Sequence, residues 1–323
     1  MTSSVLVAGG GGFIGGHLVS GLLAAGNTVR SVDAKPLEEW HQLHADADNR
    51  QADLSVLDQA RDAVRGVNEV YDLAADMGGM GFIENHKADC MLSVLTGTYL
   101  LLAARDAGCD LFFYASSACV YAAAHQDSPC VIPLKESDAY PAMPEDGYGW
   151  EKLFTERMCR HFLEDFGLPT RVARYHNVYG PYGTWHGGRE KAPAAICRKI
   201  AIAAITGDTE IEVWGDGLQT RSFTYIDDGI TGTLKLAKSD VTVPVNVGSS
   251  ELVTINEMVD LVADIAGIEV TRRHDLRAPQ GVRGRNSDNT LILDTLGWEP
   301  VTSLRDGLEK TYAWIYDCVR ASA

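Results

Sequence analysis

Tyr148 and Lys152 stand four residues apart in the string Y-G-W-E-K. On a helix that spacing puts both side chains on one face, about one turn from each other. An ammonium beside a phenol favours the phenolate and lowers the tyrosine pKa from its usual value of about 10. Such a tyrosine can take the proton of a sugar hydroxyl while a nicotinamide takes the hydride. The Y-x-x-x-K spacing is common by chance, so it carries weight only beside a dinucleotide site and a third polar group. Ser117 supplies that group. The apolar run 111–115 reads as a strand and is followed by Ser116, Ser117, Ala118 and Cys119. A hydroxyl at the C-terminal end of such a strand faces the ligand crevice of a parallel sheet.

The elements that must position these groups begin at the N-terminus. Residues 3–8 form a short apolar run, residues 9–16 read G-G-G-G-F-I-G-G, and residues 13–25 are apolar with helical period. This is strand, glycine turn, helix. Gly9, Gly12 and Gly15 fit G-x-x-G-x-x-G, a relative of the dinucleotide fingerprint, with Phe13 and Ile14 opening the helix. The glycines let the backbone approach a pyrophosphate at the positive end of the helix. A second apolar run, 28–32, ends at Asp33. A carboxylate there accepts from ribose hydroxyls and repels a 2′-phosphate, which points to NAD rather than NADP, with Arg30 and Lys35 close by as a counterweight. Asp53 follows a third strand and is placed to bond the adenine. Ala74, directly after strand 67–73, completes the cofactor-binding set.

The chain has 323 residues, enough for one large or two smaller domains with a real core. Its formal net charge of −16 disfavours nucleic acid and anionic membranes as partners. An anionic substrate therefore needs a local basic cluster, for which Arg221, Arg283 and Arg285 are candidates. Composition predicts no segment long and apolar enough to span a bilayer, and the chain enters a strand at once, without a signal peptide. Seven cysteines with no C-x-x-C argue against a disulfide framework and a zinc ribbon, leaving no metal site and a reduced, cytoplasmic setting.

Strand and helix patterns alternate through the first half, with strands at 67–73, 111–115 and 170–175 and helices at 86–107 and 149–166. That alternation predicts an α/β fold: a Rossmann-type doubly wound parallel sheet with a smaller C-terminal substrate-binding lobe. Residues 1–175, completed by parts of 222–248, form the NAD-binding domain, and 176–323 mainly form the other lobe. Residues 177–188 read as a loop, and helices follow near 192–204, 227–238, 255–266 and 304–319. Helices 86–107 and 149–166 carry apolar residues on more than one face, which predicts a homodimer through a helix bundle.

With Ser117, Tyr148 and Lys152 in place, the chain resembles the extended short-chain dehydrogenase/reductase family. In that family the serine bonds the reacting sugar oxygen, and the lysine holds the cofactor ribose and tunes the tyrosine. Cys119 departs from the threonine usual in its 4-epimerases and dehydratases. A thiol is a soft acid/base with a pKa of about 8.5. Oxidising one sugar carbon to a ketone acidifies the adjacent C–H bonds. A base and an acid on opposite faces of the ring can then invert those centres, with Cys119 as base and Lys191 as acid. A lone cysteine is usually an inert core residue, which is how Cys90, Cys109, Cys159, Cys197 and Cys318 read; Cys119 differs by lying two residues after the serine.

Five strings sharpen the resemblance: A-A-D-M-G-G-M-G-F-I (74–83), Y-A-S-S-A-C (114–119), G-R-E-K-A-P-A-A (188–195), W-G-D-G-L-Q-T-R-S-F (214–223) and G-V-R-G-R-N-S-D-N (281–289). Together they are similar to the GDP-mannose 3,5-epimerases over almost the whole chain. That resemblance implies transient oxidation at C4 with Tyr148 as base, proton exchange at C5 and C3, and reduction back at C4, giving GDP-L-galactose or GDP-L-gulose. It places Gly78 and Gly79 against the sugar, and Asn177 near the sugar or diphosphate. Gln219 and Arg221 fall on the nucleotide side, and Arg283 on the pyrophosphate. Taken alone, Arg283 and Arg285 read as a solvated surface pair. Two segments, 122–131 and 200–212, depart from the family pattern. The competing readings are a nucleotide-sugar 4-epimerase or 4,6-dehydratase, and a non-catalytic NAD-binding sensor. A dehydratase wants an acid beside the serine, which Ala118–Cys119 does not supply, and a sensor has no need of Tyr148 and Lys152 together.

Overall fold

Along the central strands, alternate residues go to opposite faces, and both faces are apolar. In β1 (Ser4–Ala8), Val5 and Val7 join one core cluster, and Leu6 and Ala8 another. The computed structural model describes residues 3–322. Six further strands extend the sheet: β2 (Thr28–Asp33), β3 (Asp48–Gln51), β4 (Glu69–Asp72), β5 (Leu111–Ser117), β6 (Thr170–Tyr175) and, after four short strands elsewhere, β11 (Val245–Val247). Their order is β11-β6-β5-β4-β1-β2-β3, and every pairing is parallel. The chain runs outward from β1 to β3 and then returns to β1's other side as β4. That reversal opens a crevice at the C-terminal strand ends, where ligands of such sheets bind.

The helices follow from capping and apolar period. On one face lie α2 (Leu57–Val64), α5 (Val94–Ala107) and α6 (Asp146–Phe166), with the short α3 (Met80–Asn85) and α4 (Lys87–Leu92) before them. Gly108 and Gly167 adopt left-handed conformations that end α5 and α6. On the other face α1 (Phe13–Ala24) packs against α8 (Ile226–Ala237). The remaining strands are β7 (Val178–Tyr179), β8 (Glu210–Trp214), β9 (Thr220–Ser222), β10 (Thr224–Tyr225), β12 (Leu252–Thr254), β13 (Thr271–Asp275) and β14 (Gly284–Arg285). They form small sheets around α7 (Ala192–Thr206), α9 (Ile255–Ala266), α10 (Thr290–Leu296) and α11 (Leu304–Ser322).

Three sequence expectations change. The helix expected over 86–107 is broken at Ser93, which is buried and whose hydroxyl accepts from the Asp76 amide at 3.0 Å. Taken as one span, Lys87–Ala107 is long and apolar enough, by length and composition, to cross a membrane, which corrects the expectation that no segment is. Here it packs against its neighbours instead, α5 against α2 and α6. Residues 177–188 are not all loop, because Val178–Tyr179 pairs with Thr224–Tyr225 as a parallel strand. Segment 200–212 is the end of α7, a left-handed Gly207 and the start of β8.

Candidate active site

One cavity of about 1370 Å³ opens along the strand ends. Its cofactor half is built from the glycine turn. Gly9 has φ +80°, and a Cβ there would lie 2.9 Å from the Ala74 amide nitrogen. At Gly15 a Cβ would meet the Gly9 carbonyl oxygen at 2.1 Å. The turn is therefore closed to side chains and open to a flat anion. Gly12 caps α1 without a side-chain hydrogen bond, leaving the first-turn amides free for a pyrophosphate. Phe13, Ile14, Asp33, Asp53 and Ala74 line the same cavity. The Asp33 carboxylate accepts from the Lys35 amide at 3.1 Å, and the Lys35 ammonium donates to the Gly11 carbonyl at 2.9 Å. Lys35 is thus tied to the turn rather than held out for a 2′-phosphate. The cradle fits NAD.

The reactive half gathers Ser117, Cys119, Tyr148, Lys152 and Lys191 in this cavity. β5 ends on Ser117, whose hydroxyl accepts from the Cys119 amide at 3.2 Å and so fixes the turn carrying the thiol. α6 approaches that turn closely: a Cβ at Gly149 would lie 2.4 Å from the Cys119 carbonyl oxygen. This contact explains the glycine beside Tyr148. Burial, and after it Cys119 and Glu151, push the Tyr148 phenol well above its ordinary value, while Ser117 acts the other way. The expectation that Lys152 depresses it is thereby corrected. The Lys152 ammonium sits 5.6 Å from the Tyr148 ring centre and 3.5 Å from a Glu151 carboxylate oxygen, which absorbs much of its field.

Cys119 is buried, and burial and Glu145 raise its thiol pKa while Arg285 lowers it. Arg285 donates to the Cys119 sulfur at 3.6 Å and to Gln126 Oε1 at 2.6 Å, and pairs with Glu145. Lys191 caps the start of α7. Burial lowers its pKa, Cys119 raises it and Arg285 lowers it. A thiol raised and an amine lowered approach each other in acidity, the condition for a matched base and acid.

Of the sugar and nucleotide residues, Gly78, Gly79, Asn177, Gln219 and Arg221 line the cavity. Gly79 donates to the Arg189 carbonyl at 3.0 Å, so the loop after β4 is clasped to the loop before α7. Gln219 Oε1 is buried without a partner, an acceptor left for a ligand. Arg221 is held by the carbonyls of Thr220, Gln280 and Val282, and burial, with Arg285 next, lowers its pKa to about 10. Arg283 does not line the cavity, which corrects its assignment to pyrophosphate. Its guanidinium is bound by the Asp216 carboxylate at 3.0 and 3.1 Å and by Gln280 at 3.1 Å. Arg285 is buried against Cys119 rather than solvated. β14 contains Gly284 and Arg285, and strand alternation sends residue 285 to the face opposite its neighbours. Glu145 is a further member that sequence reasoning missed. It is the extended residue directly before α6, so no helical spacing signals it in the sequence. Among the described residues no cluster could hold a metal ion.

An open parallel sheet with an NAD cradle and a Ser-Tyr-Lys set defines a nucleotide-sugar short-chain dehydrogenase/reductase. Residues 5–248 match the NAD dependent epimerase/dehydratase family, and the chain belongs to it. Within it, the chain is 49% identical to GDP-mannose 3,5-epimerase 1 of Oryza sativa subsp. japonica, over 96% of this chain and 81% of the rice protein. UDP-glucose 4-epimerase of Thermotoga maritima, solved with UDP-glucose, has a TM-score of 0.86 at 25% identity, covering 98% of this chain and 99% of that one. UDP-glucuronic acid 4-epimerase of Bacillus cereus, solved with UDP-glucuronic acid and NAD, has a TM-score of 0.80 at 26% identity, covering 98% and 99%.

Proposed function

We propose that this enzyme epimerises GDP-D-mannose at C5 and C3, giving GDP-L-gulose and GDP-L-galactose. The observation that carries the reading is the Cys119 thiol, set two residues after Ser117 with the Arg285 guanidinium against its sulfur, in one cavity with Tyr148, Lys152 and Lys191. NAD held by the Gly9–Gly15 turn, Asp33 and Lys152 would supply a reversible hydride acceptor for C4, which would leave the reaction redox-neutral overall. Tyr148 in its phenolate form takes the C4 hydroxyl proton, with Ser117 bonding the same oxygen. Cys119, as thiolate, removes the acidified proton at C5 and, after giving that proton up to solvent while Lys191 regains one, removes the proton at C3. Lys191 returns a proton to the other face, and Tyr148 finally reprotonates the C4 oxygen. Gln219 and Arg221 receive the nucleotide.

Residues 1–175 with β11 serve the cofactor, and residues 176–323 mainly serve the nucleotide sugar. The chain works as a homodimer across α4, α5 and α6, whose Met91, Leu92, Leu95, Trp150 and Phe154 are exposed. Seven free cysteines support a reduced, cytoplasmic setting.

Cys119→Ser tests the reading. It keeps transient oxidation at C4, seen as reduced-nicotinamide absorbance, and loses exchange at C5 and C3. Equal loss of both would mean that the thiol is not the base. A C4 epimer or a 6-deoxy-4-keto product from the wild type favours the runner-up enzymes.

A further inference from the structure

Beneath the catalytic lysine lies a carboxyl pair that the proton transfers at C3, C4 and C5 do not use. Asp72 ends β4 and is buried, with Oδ1 accepting from the Ala74 amide at 3.2 Å and Oδ2 without a partner. Glu151, the residue before Lys152 on α6, is also buried. Its Oε1 accepts from the Tyr114 hydroxyl at 2.8 Å and the Thr155 hydroxyl at 3.3 Å. Its Oε2 lies 3.5 Å from the Lys152 ammonium and has no hydrogen-bond partner. Tyr114, from β5, sets its ring 4.8 Å below that ammonium. From α5 Gly97 approaches, where a Cβ would lie 3.5 Å from Asp72 Oδ2. The charged or titratable groups facing Asp72 are thus Lys152, Glu151, Tyr114 and, two turns further along α6, Cys159.

We propose that Asp72 and Glu151 are positioning residues that set the field Lys152 exerts on Tyr148. With Asp72 protonated, one carboxylate opposes the ammonium; with Asp72 ionised, two do, and the positive field is drawn off the phenol. The inference rests on the proposed roles of Tyr148 and Lys152. Burial, against the opposing pull of Lys152, raises Asp72 to about 7, so the change falls in the working range. Asp72 also holds the amide that begins the cavity wall, which ties its ionisation to the loop bearing Gly78 and Gly79. No covalent step is involved; one proton leaves Asp72 for solvent as pH rises.

Asp72→Asn mimics the protonated acid at all pH values. A group whose folded pKa is raised keeps its proton when the unfolded chain has lost it, so stability falls as pH rises from about 4 to about 7. The melting temperature of the cofactor-free wild type should therefore fall relative to Asp72→Asn by about 5 °C between pH 5 and 7. The ratio of wild-type to Asp72→Asn kcat on GDP-mannose should fall about threefold between pH 6 and 8, with KM unchanged. A merely structural aspartate with the same raised pKa gives the melting slope but leaves the kcat ratio independent of pH. Should Asp72→Asn not fold, Glu151→Gln replaces it and shifts the wild-type melting inflection to lower pH, because a like charge beside Asp72 is gone. Parallel melting curves, or a pH-independent kcat ratio in an active enzyme, overturn this inference alone. A wild type with no turnover overturns the functional reading and this inference with it.

Discussion

Replacing Arg285 by Gln removes the N–H donated to the Cys119 sulfur at 3.6 Å and strands the Glu145 carboxylate beside it. The magnitude follows from two steps. A bare charge pair at that distance is worth about 4 kcal/mol at an effective dielectric of 20, but Glu145 already neutralises much of Arg285. What remains is a charge-assisted hydrogen bond worth about 1.5–3 kcal/mol, or about 1–2 pKa units on the thiol. Cys119 already titrates above its ordinary value because of burial and Glu145. A further rise moves the limb on which thiolate forms to higher pH. At a fixed neutral pH the thiolate fraction, and with it exchange at C5, should fall about 10- to 100-fold. The double variant Arg285→Gln/Glu145→Gln removes the stranded carboxylate and should recover part of the loss. The assay is deuterium wash-in at C5 across pH, followed beside the reduced-nicotinamide signal, which should persist. An exchange limb that stays in place, or moves to lower pH, would refute the reasoning.

Three further outcomes follow from the same geometry. Gly79→Ala puts a Cβ 2.5 Å from the Glu190 carbonyl oxygen, so the clasp between the two loops must open; KM for GDP-mannose should rise about 10-fold, roughly 1.4 kcal/mol, in steady-state kinetics. Arg283→Ala loses only a partly exposed ion pair with Asp216, worth about 0–1 kcal/mol, and should change KM by less than about threefold; a loss on the scale of a pyrophosphate ligand would restore it to that role. Exchange should rise with pH as the raised Cys119 thiol ionises, and fall again as the lowered Lys191 loses its proton; a rate flat from mildly acidic to basic pH contradicts the pairing.

Local pattern carried most of the fold and the cofactor cradle, because both are contiguous. Glycine turn, apolar strands and terminal acids lie within single βαβ units, and β1, β2 and α1 follow them directly. What the sequence hid depends on contacts between distant segments. Arg285 lies 166 residues from Cys119, and the pairing of β14 with β9, with the Gln126 carbonyl accepting from the Arg283 and Gly284 amides, brings it to the thiol. Arg283, two residues earlier in the same string, has its guanidinium held by Asp216. Glycine at residue 149 allows α6 to meet the Cys119 turn, a contact that local sequence does not reveal. The break at Ser93 is invisible in the sequence because the apolar period runs through it; the Ser93 hydroxyl there accepts from the distant Asp76 amide. The ionisation of Tyr148 was misjudged because burial, and after it Cys119 and Glu151, push the phenol up, and none of these contacts shows in the local spacing.

The central claim is tested most directly by proton NMR of GDP-mannose incubated with the enzyme in deuterated water. The account predicts deuterium at C5, accompanied by deuterium at C3 where galactose forms, together with new GDP-hexose signals and no net change in nicotinamide. Turnover that leaves C5 and C3 fully protonated, with inversion at C4 or loss of oxygen at C6, would contradict it.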